Sequence, residues 1–293
     1  MPWIDELFER HYPQPAFICA PFIARGGITL LHGKKSLGKS PFSWELARCV
    51  ANGIPFLTFP TLRSKVLFIE KDTPEQLSMT RLQMMPEPRG GWWIEFMTQV
   101  PVDLGTNHPS HGRLQSLEER WGPFDFVIWN PLARMYKGTD RDVVTRVYDT
   151  MTHLFPQAGH LLISHDRKEG RSLDSIIIDS EEHSGWQEWV NLAQNVFRLV
   201  QPSPDWLELR HTGSQVIDLH KKPRRPPIRF VLSHGNSSIS PYHRVDNVTE
   251  LVDNAPGANQ TERVKAVAKV TKKSERTIWR ALNDEKMLAD DGD

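Results

Sequence analysis

The chain has 293 residues, 36 acidic against 36 basic side chains, and 39% hydrophobic residues. That length holds one large α/β domain and a small one, and a net charge of zero excludes a global field for nucleic acid, leaving only local patches. Two distant cysteines, Cys19 and Cys49, cannot build a zinc site or a disulfide framework, and no apolar run approaches the ~20 residues of a membrane span, so a reducing, cytoplasmic setting without a membrane partner is expected.

Residues 1–25 read as a lead-in: a short amphipathic segment around Trp3, Ile4, Leu7 and Phe8, then an approach punctuated by Pro13, Pro15 and Pro21. Asp5, Glu6 and Glu9 stand where an export signal would be basic, so no leader is expected. The apolar run Ile28–Leu31 predicts a buried strand, and it runs directly into Gly33-Lys34-Lys35-Ser36-Leu37-Gly38-Lys39-Ser40, a complete G-x-x-x-x-G-K-S. In that motif the glycines let the backbone turn so that successive N–H groups face a phosphate. Lys39 would reach the β- and γ-phosphates, and Ser40 would place its hydroxyl on Mg²⁺. A helix is expected next, with Phe42, Leu46, Cys49 and Val50 on one face and Gly53 as its cap. Pro41 falls in the first turn, where proline is tolerated, but it removes an N–H from the loop.

A second strand, Lys65–Ile69, leads into Glu70-Lys71-Asp72-Thr73-Pro74 and a helix reaching Leu82. In open α/β sheets ligands meet the carboxyl ends of strands, which places Glu70 and Asp72 towards the γ-phosphate as candidates to orient the attacking water. Asp72 or Thr73 could instead cap the helix that follows. Residues 84–118 give one edge strand, Trp92–Phe96, among loops. The run Phe124–Leu132 is the form of a Walker B strand, but its polar terminus is Asn130 rather than aspartate. The amide keeps a hydrogen bond to the metal's water shell and loses the charge, while Asp125 lies at the wrong end to substitute.

A charged turn at 137–142 precedes a helix over 143–154 with Val144, Val147, Tyr148, Met151 and Leu154 inward. The strand His160–Ser164 ends at His165, a candidate sensor of the γ-phosphate, and Arg167, Lys168 and Arg171 open a polar loop suited to DNA phosphates. Short alternating strands are expected over 196–200, 206–209, 216–219 and 228–232. Five basic residues lie within 221–229, and residues 233–240 read as a linker of Gly, Asn and Ser. From Gln260 the pattern predicts two helices, Glu262–Lys269 and Glu275–Asn283, with the proportions of a helix-turn-helix. Arg276 and Arg280 would lie on the exposed face of the second helix for DNA.

Gly26–Leu31 with Gly33–Ser40, Val66–Ile69 with Glu70 and Asp72, Val127–Leu132, and Ile163–Lys168 together resemble the RecA-like ATPases of the RepA-type replicative helicase group, over roughly residues 20–235. The resemblance implies an α/β, RecA-like P-loop NTPase core with a mainly parallel sheet, ATP and Mg²⁺ at subunit interfaces, a ring-shaped homo-oligomer such as a hexamer, and single- or double-stranded DNA as partner. By position it matches Asp72 to the catalytic carboxylate and His165 to the histidine sensor, and it puts Gln194 where the group carries an arginine finger, with Arg198 one turn on as a stand-in. The organisation expected is a core over 1–235, a linker over 236–259 and a helix-turn-helix unit over 260–293. The expected function is a DNA helicase or translocase of a plasmid, phage or mobile element. The alternatives are a nucleotide-gated DNA-binding regulator with a slow ATPase site and, more weakly, a small-molecule kinase.

Overall fold

A computed structural model describes residues 17–138, 140–165, 184–203, 206–214, 228–233 and 238–241, and then 252–253, 255–257, 259–271, 274–276 and 278–279. Arg167, Lys168, Arg171, Arg280 and the strand expected over 216–219 lie outside these residues. The chain divides after Pro241 into two compact units.

In the first unit a short hairpin, β1 (Phe17–Cys19) and β2 (Ile23–Ala24), precedes β3 (Ile28–Gly33) and helix α1 (Lys39–Asn52). Then follow β4 (Val66–Glu70), α2 (Glu75–Leu82), β5 (Trp92–Phe96), α3 (Ser110–Trp121) and β6 (Phe126–Asn130). A 3₁₀ turn over Leu132–Arg134 leads to α4 (Arg141–Leu154), β7 (Gly159–Ile163), α5 (Ser184–Leu192) and four strands: β8 (Asn195–Ser203), β9 (Trp206–Ser214), β10 (Ile228–Ser233) and β11 (Ser238–Pro241).

Nine of the described strands form one sheet in the order β11-β10-β9-β8-β3-β7-β6-β4-β5. From β8 to β5 every pairing is parallel, and β9, β10 and β11 extend one side antiparallel. The parallel strands are near-continuous apolar runs because both of their faces are covered. On one face Leu31, Phe68, Phe126, Ile128, Leu161 and Ile163 pack with α1 and the β1–β2 hairpin. On the other, Ile28, Leu30, Leu67, Ile69, Val127, Trp129 and Leu162 pack with Leu114 of α3, Val144, Val147 and Met151 of α4, and Trp189 of α5. The period-2 alternation of strand side chains thus divides two apolar layers. The layer under α4 also buries the pair Trp129 and His160, whose ring nitrogens meet at 3.2 Å.

Helix α1 ends as expected: Gly53 adopts φ 66°, and its N–H turns back to the last carbonyls. Three expectations need correction. Ser238–Pro241 pairs with β10 as an edge strand, so residues 238–241 of the expected 236–259 linker belong to the sheet. The loops expected over 84–118 include α3, which escapes the periodicity test because it buries only Ser110 and Leu114. The lead-in holds the β1–β2 hairpin, whose short apolar pieces stand on either side of Pro21.

In the second unit, α6 (Gln260–Thr271) packs Val264, Val267 and Ala268 around Val252 and Ile278. The Asn259 Oδ1 accepts the Glu262 N–H at 3.0 Å and caps the helix. Residues 275–276 and 278–279 are helical, and Arg276 is exposed. Among the described residues no helix is long and apolar enough to cross a membrane.

Candidate active site

The parallel strands β3, β4, β6 and β7 deliver their carboxyl ends to one edge, where the chain places Gly33, Glu70, Asn130 and, just beyond β7, His165. Gly33 is required by a close approach: a Cβ there would lie 2.6 Å from the Leu199 carbonyl oxygen on the paired strand β8. Gly38 has φ 87°, and its missing side chain is occupied by Leu232, whose Cδ2 would sit 2.5 Å from a Cβ. Ser36 also adopts a positive φ, 66°, so the loop between strand and helix is curled by two left-handed residues. Lys39 is buried, and its ammonium donates to the carbonyls of Gly33 and Lys34, both at 2.7 Å. That bracing holds the cationic head over the loop. Lys34 and Lys35 are exposed, and Ser36 too is open to solvent.

Asn130 sits at the centre of the site. Its Nδ2 donates to Ser40 Oγ at 3.2 Å and to Glu70 Oε2 at 2.8 Å, and it stands directly opposite Glu70 in the β4–β6 register. The amide therefore occupies the position expected of a Walker B side chain, beside the hydroxyl that a P-loop offers to Mg²⁺. Glu70 is 1% exposed, and its Oε1 accepts the N–H groups of Asp72 and Thr73 at 2.9 and 3.0 Å. Burial raises its pKa against the lowering effect of those hydrogen bonds and of Asn130.

Strand position makes both Glu70 and Asp72 candidates and the resemblance singles out Asp72; the structure sets the two in different surroundings. Glu70 faces inward to Asn130, whereas Asp72 is 39% exposed in its side chain and pairs with Arg134 at 3.0 Å. Neither Asp72 nor Thr73 caps α2, whose N-terminal residue Pro74 lacks a side-chain cap. His165 lies near both Lys39 and Asp72: burial lowers its pKa first, Lys39, Lys35 and Arg134 lower it further, and Asp72 opposes them. The imidazole is therefore neutral at neutral pH.

Gln194 lies away from the phosphate loop: its Oε1 accepts the Ile28 N–H at the amino end of β3, ~16 Å along the strand from Gly33. Arg198 faces His32 across the β3–β8 pairing. Asp125, as expected, lies at the far end, holding Arg25 and the Lys65 N–H. Sequence reasoning misses Arg134, whose one signal is a cation four residues beyond the strand terminus Asn130. Cys19 and Cys49 are buried thiols pushed up to about 12, which removes them from chemistry at neutral pH. Among the described residues no cluster of three His, Cys, Asp or Glu could hold a metal by itself.

A family profile described as an AAA domain (AAA_25) matches residues 1–171. No curated protein sequence matches the chain. Among solved structures, an ATPase domain superimposes with a TM-score of 0.56 at 9% identity, over 74% of this chain and 85% of that one. The flagellar accessory protein FlaH from Methanocaldococcus jannaschii gives 0.50 at 10% identity, over 75% and 90%. With a profile spanning more than half of its length and a phosphate loop set at the carboxyl edge of a largely parallel sheet, the chain belongs to the AAA domain family and carries a RecA-like P-loop ATPase fold.

Proposed function

We propose that the chain binds and hydrolyses ATP with Mg²⁺ and acts on DNA as a helicase-like translocase of a plasmid, phage or other mobile element, assembled as a ring of copies of itself. The observation that carries the nucleotide part is the contact chain Ser40–Asn130–Glu70 lying beside the braced Lys39. The N–H groups of Gly33–Ser40 would cradle the phosphates, and Lys39 would neutralise the β- and γ-oxygens. Ser40 is the direct candidate ligand for Mg²⁺ and Asn130 a partner for its water shell. Without a protein cage of carboxylates among the described residues, the ion would arrive on the nucleotide, as Mg²⁺ usually does. Bound there, it would offset charge on the phosphoryl oxygens.

Glu70 supplies the buried carboxyl group behind Asn130. Asp72, more exposed and ion-paired, is the residue free to face a water on the outer side. A neutral His165 can both donate to and accept from the γ-phosphate region. Arg276 and Arg280, with Arg167, Lys168 and Arg171, are the residues proposed to meet DNA phosphates.

A second reading, a nucleotide-gated DNA-binding regulator with little turnover, is favoured by the amide at Asn130 and by the three donors already engaged on Glu70. Calorimetric titration of ATP·Mg²⁺ into the full chain and into Lys39→Ala tests the site: binding is expected only in the parent, and equal affinities refute the assignment. ATPase rates with and without single-stranded DNA, alongside mass in solution, then divide the two readings. DNA-stimulated turnover by an oligomer supports the translocase; binding without turnover supports the regulator.

A further inference from the structure

Phosphoryl transfer develops negative charge on the γ-phosphate oxygens, and P-loop enzymes meet it with a cation beyond the loop lysine. Here Gln194 supplies no cation, being a neutral amide whose oxygen accepts the Ile28 N–H. The 3₁₀ turn Leu132–Arg134, however, begins two residues past Asn130, the terminal residue of β6. Its Arg134 guanidinium forms an ion pair with Asp72 Oδ1 at 3.0 Å, with the two side chains 62% and 39% exposed. Arg134 acts electrostatically on His165 together with Lys39, Lys35 and Asp72, and acts on Lys71 as well. Asp72 donates its own N–H to Glu70, whose carboxylate meets Asn130 beside Ser40, so the Arg134–Asp72 pair stands at the same strand-end edge as the phosphate loop.

We propose that Arg134 is an in-chain γ-phosphate cation parked on Asp72, and that a nucleoside triphosphate, unlike a diphosphate, draws it from the carboxylate onto the terminal phosphoryl oxygens. The exchange needs no other reactant. A guanidinium carries five donors in a planar fork, so the group now ion-paired with Asp72 can turn its N–H donors onto a phosphate. An exposed ion pair contributes little in water, which makes Asp72 a weak hold that a doubly charged phosphoryl group can displace. When Arg134 leaves, the Asp72 carboxylate loses its counter-ion and is released towards water at the same place. The same two residues thus couple recognition of the third phosphate to the exposure of a base.

This inference rests on the nucleotide reading above, and the experiment separates the two. Affinities of ATP·Mg²⁺ and ADP·Mg²⁺ are measured by calorimetry on the full chain, on Arg134→Ala, Arg134→Lys and Asp72→Asn, and on the double variant Asp72→Asn with Arg134→Ala. Arg134→Ala is expected to weaken ATP about 10-fold while leaving ADP within about twofold, the size of one charge-assisted contact. Arg134→Lys, keeping charge without the fork, is expected to fall between. Asp72→Asn is expected to tighten ATP about threefold through release of the hold, an effect absent in the double variant. An Arg134→Ala variant with unchanged ATP affinity, or with ATP and ADP weakened equally, overturns the proposal while the Lys39-dependent site stands. A parent chain that binds neither nucleotide overturns both.

Discussion

Replacing Asn130 by aspartate restores the Walker B carboxylate but sets it against Glu70, and the geometry determines which effect dominates. The Asn130 Nδ2 lies 2.8 Å from Glu70 Oε2 in a site where Glu70 is 1% exposed. Two ionised carboxylates at that separation repel by ~6 kcal/mol at an effective dielectric of ~20. The protein escapes most of this by sharing one proton between them, at a cost capped by protonating a carboxyl of ordinary pKa at pH 7, about 3–4 kcal/mol. The pair's folded pKa is raised, so its stability is complete below the unfolded carboxylate value and is lost as pH rises through the folded one. Asn130→Asp should therefore lower the melting temperature by roughly 6–12 °C at pH 7 and by only a few degrees at pH 5, when both proteins are scanned without nucleotide. Mg²⁺ with ATP should recover part of the loss, because the ion offsets the second charge. Equal melting temperatures at both pH values would show that the two side chains are not in contact and would refute this account of the site.

Gly33→Ala should fail for a steric reason: the new Cβ would meet the Leu199 carbonyl at 2.6 Å, so the β3–β8 pairing must shift, at about 1–3 kcal/mol, and ATP affinity should fall with it. Chemical denaturation of the variant measures the first effect and calorimetry the second. His160 is fully buried and held down to about 4 by that burial, against the raising effect of a hydrogen bond with the Phe155 backbone, and Trp129 Nε1 donates to its Nδ1. A histidine whose folded pKa is depressed contributes stability that is present above its unfolded value of about 6.5 and is lost as pH falls towards 4, by ~3 kcal/mol. His160→Gln, which cannot titrate, should flatten the stability profile between pH 6.5 and 4, and a profile as steep as the parent's refutes the assignment.

The parallel core is legible in the sequence because its strands are buried on both faces, so Ile28–Leu31, Val66–Ile69, Phe126–Trp129 and Leu161–Ile163 stand out as runs needing no partner information. The phosphate loop is legible for a different reason: its spacing of glycines, lysine and serine is a local motif, with Gly38 at φ 87° as the backbone turn requires. What stays hidden depends on partners distant in sequence. Helix α3 exposes most of its surface, and β11 is four residues whose pairing with β10 alone makes them a strand. The inward turn of Glu70 and the outward turn of Asp72 depend on Asn130 and Arg134, about 60 residues away in the chain, and no motif spacing encodes that choice. Gln194 belongs with these: its side chain bonds the Ile28 N–H, 166 residues back in the chain, which its position in the resemblance does not encode.

The two margins of the nine-stranded sheet differ in what they offer to another chain. At one, β11 is Ser-Ile-Ser-Pro, too short and too proline-bound to template further pairing. At the other, β5 is Trp-Trp-Ile-Glu-Phe, half-buried throughout and of high strand propensity, the composition that seeds intermolecular addition when left open. Its one charge, Glu95, is pinned by Arg113 from α3, which keeps a desolvation cost near the centre of the strand. Neutralising that pair would leave the nucleotide chemistry at Lys39 and Asn130 untouched and instead set how concentrated the protein can become before it aggregates along this margin.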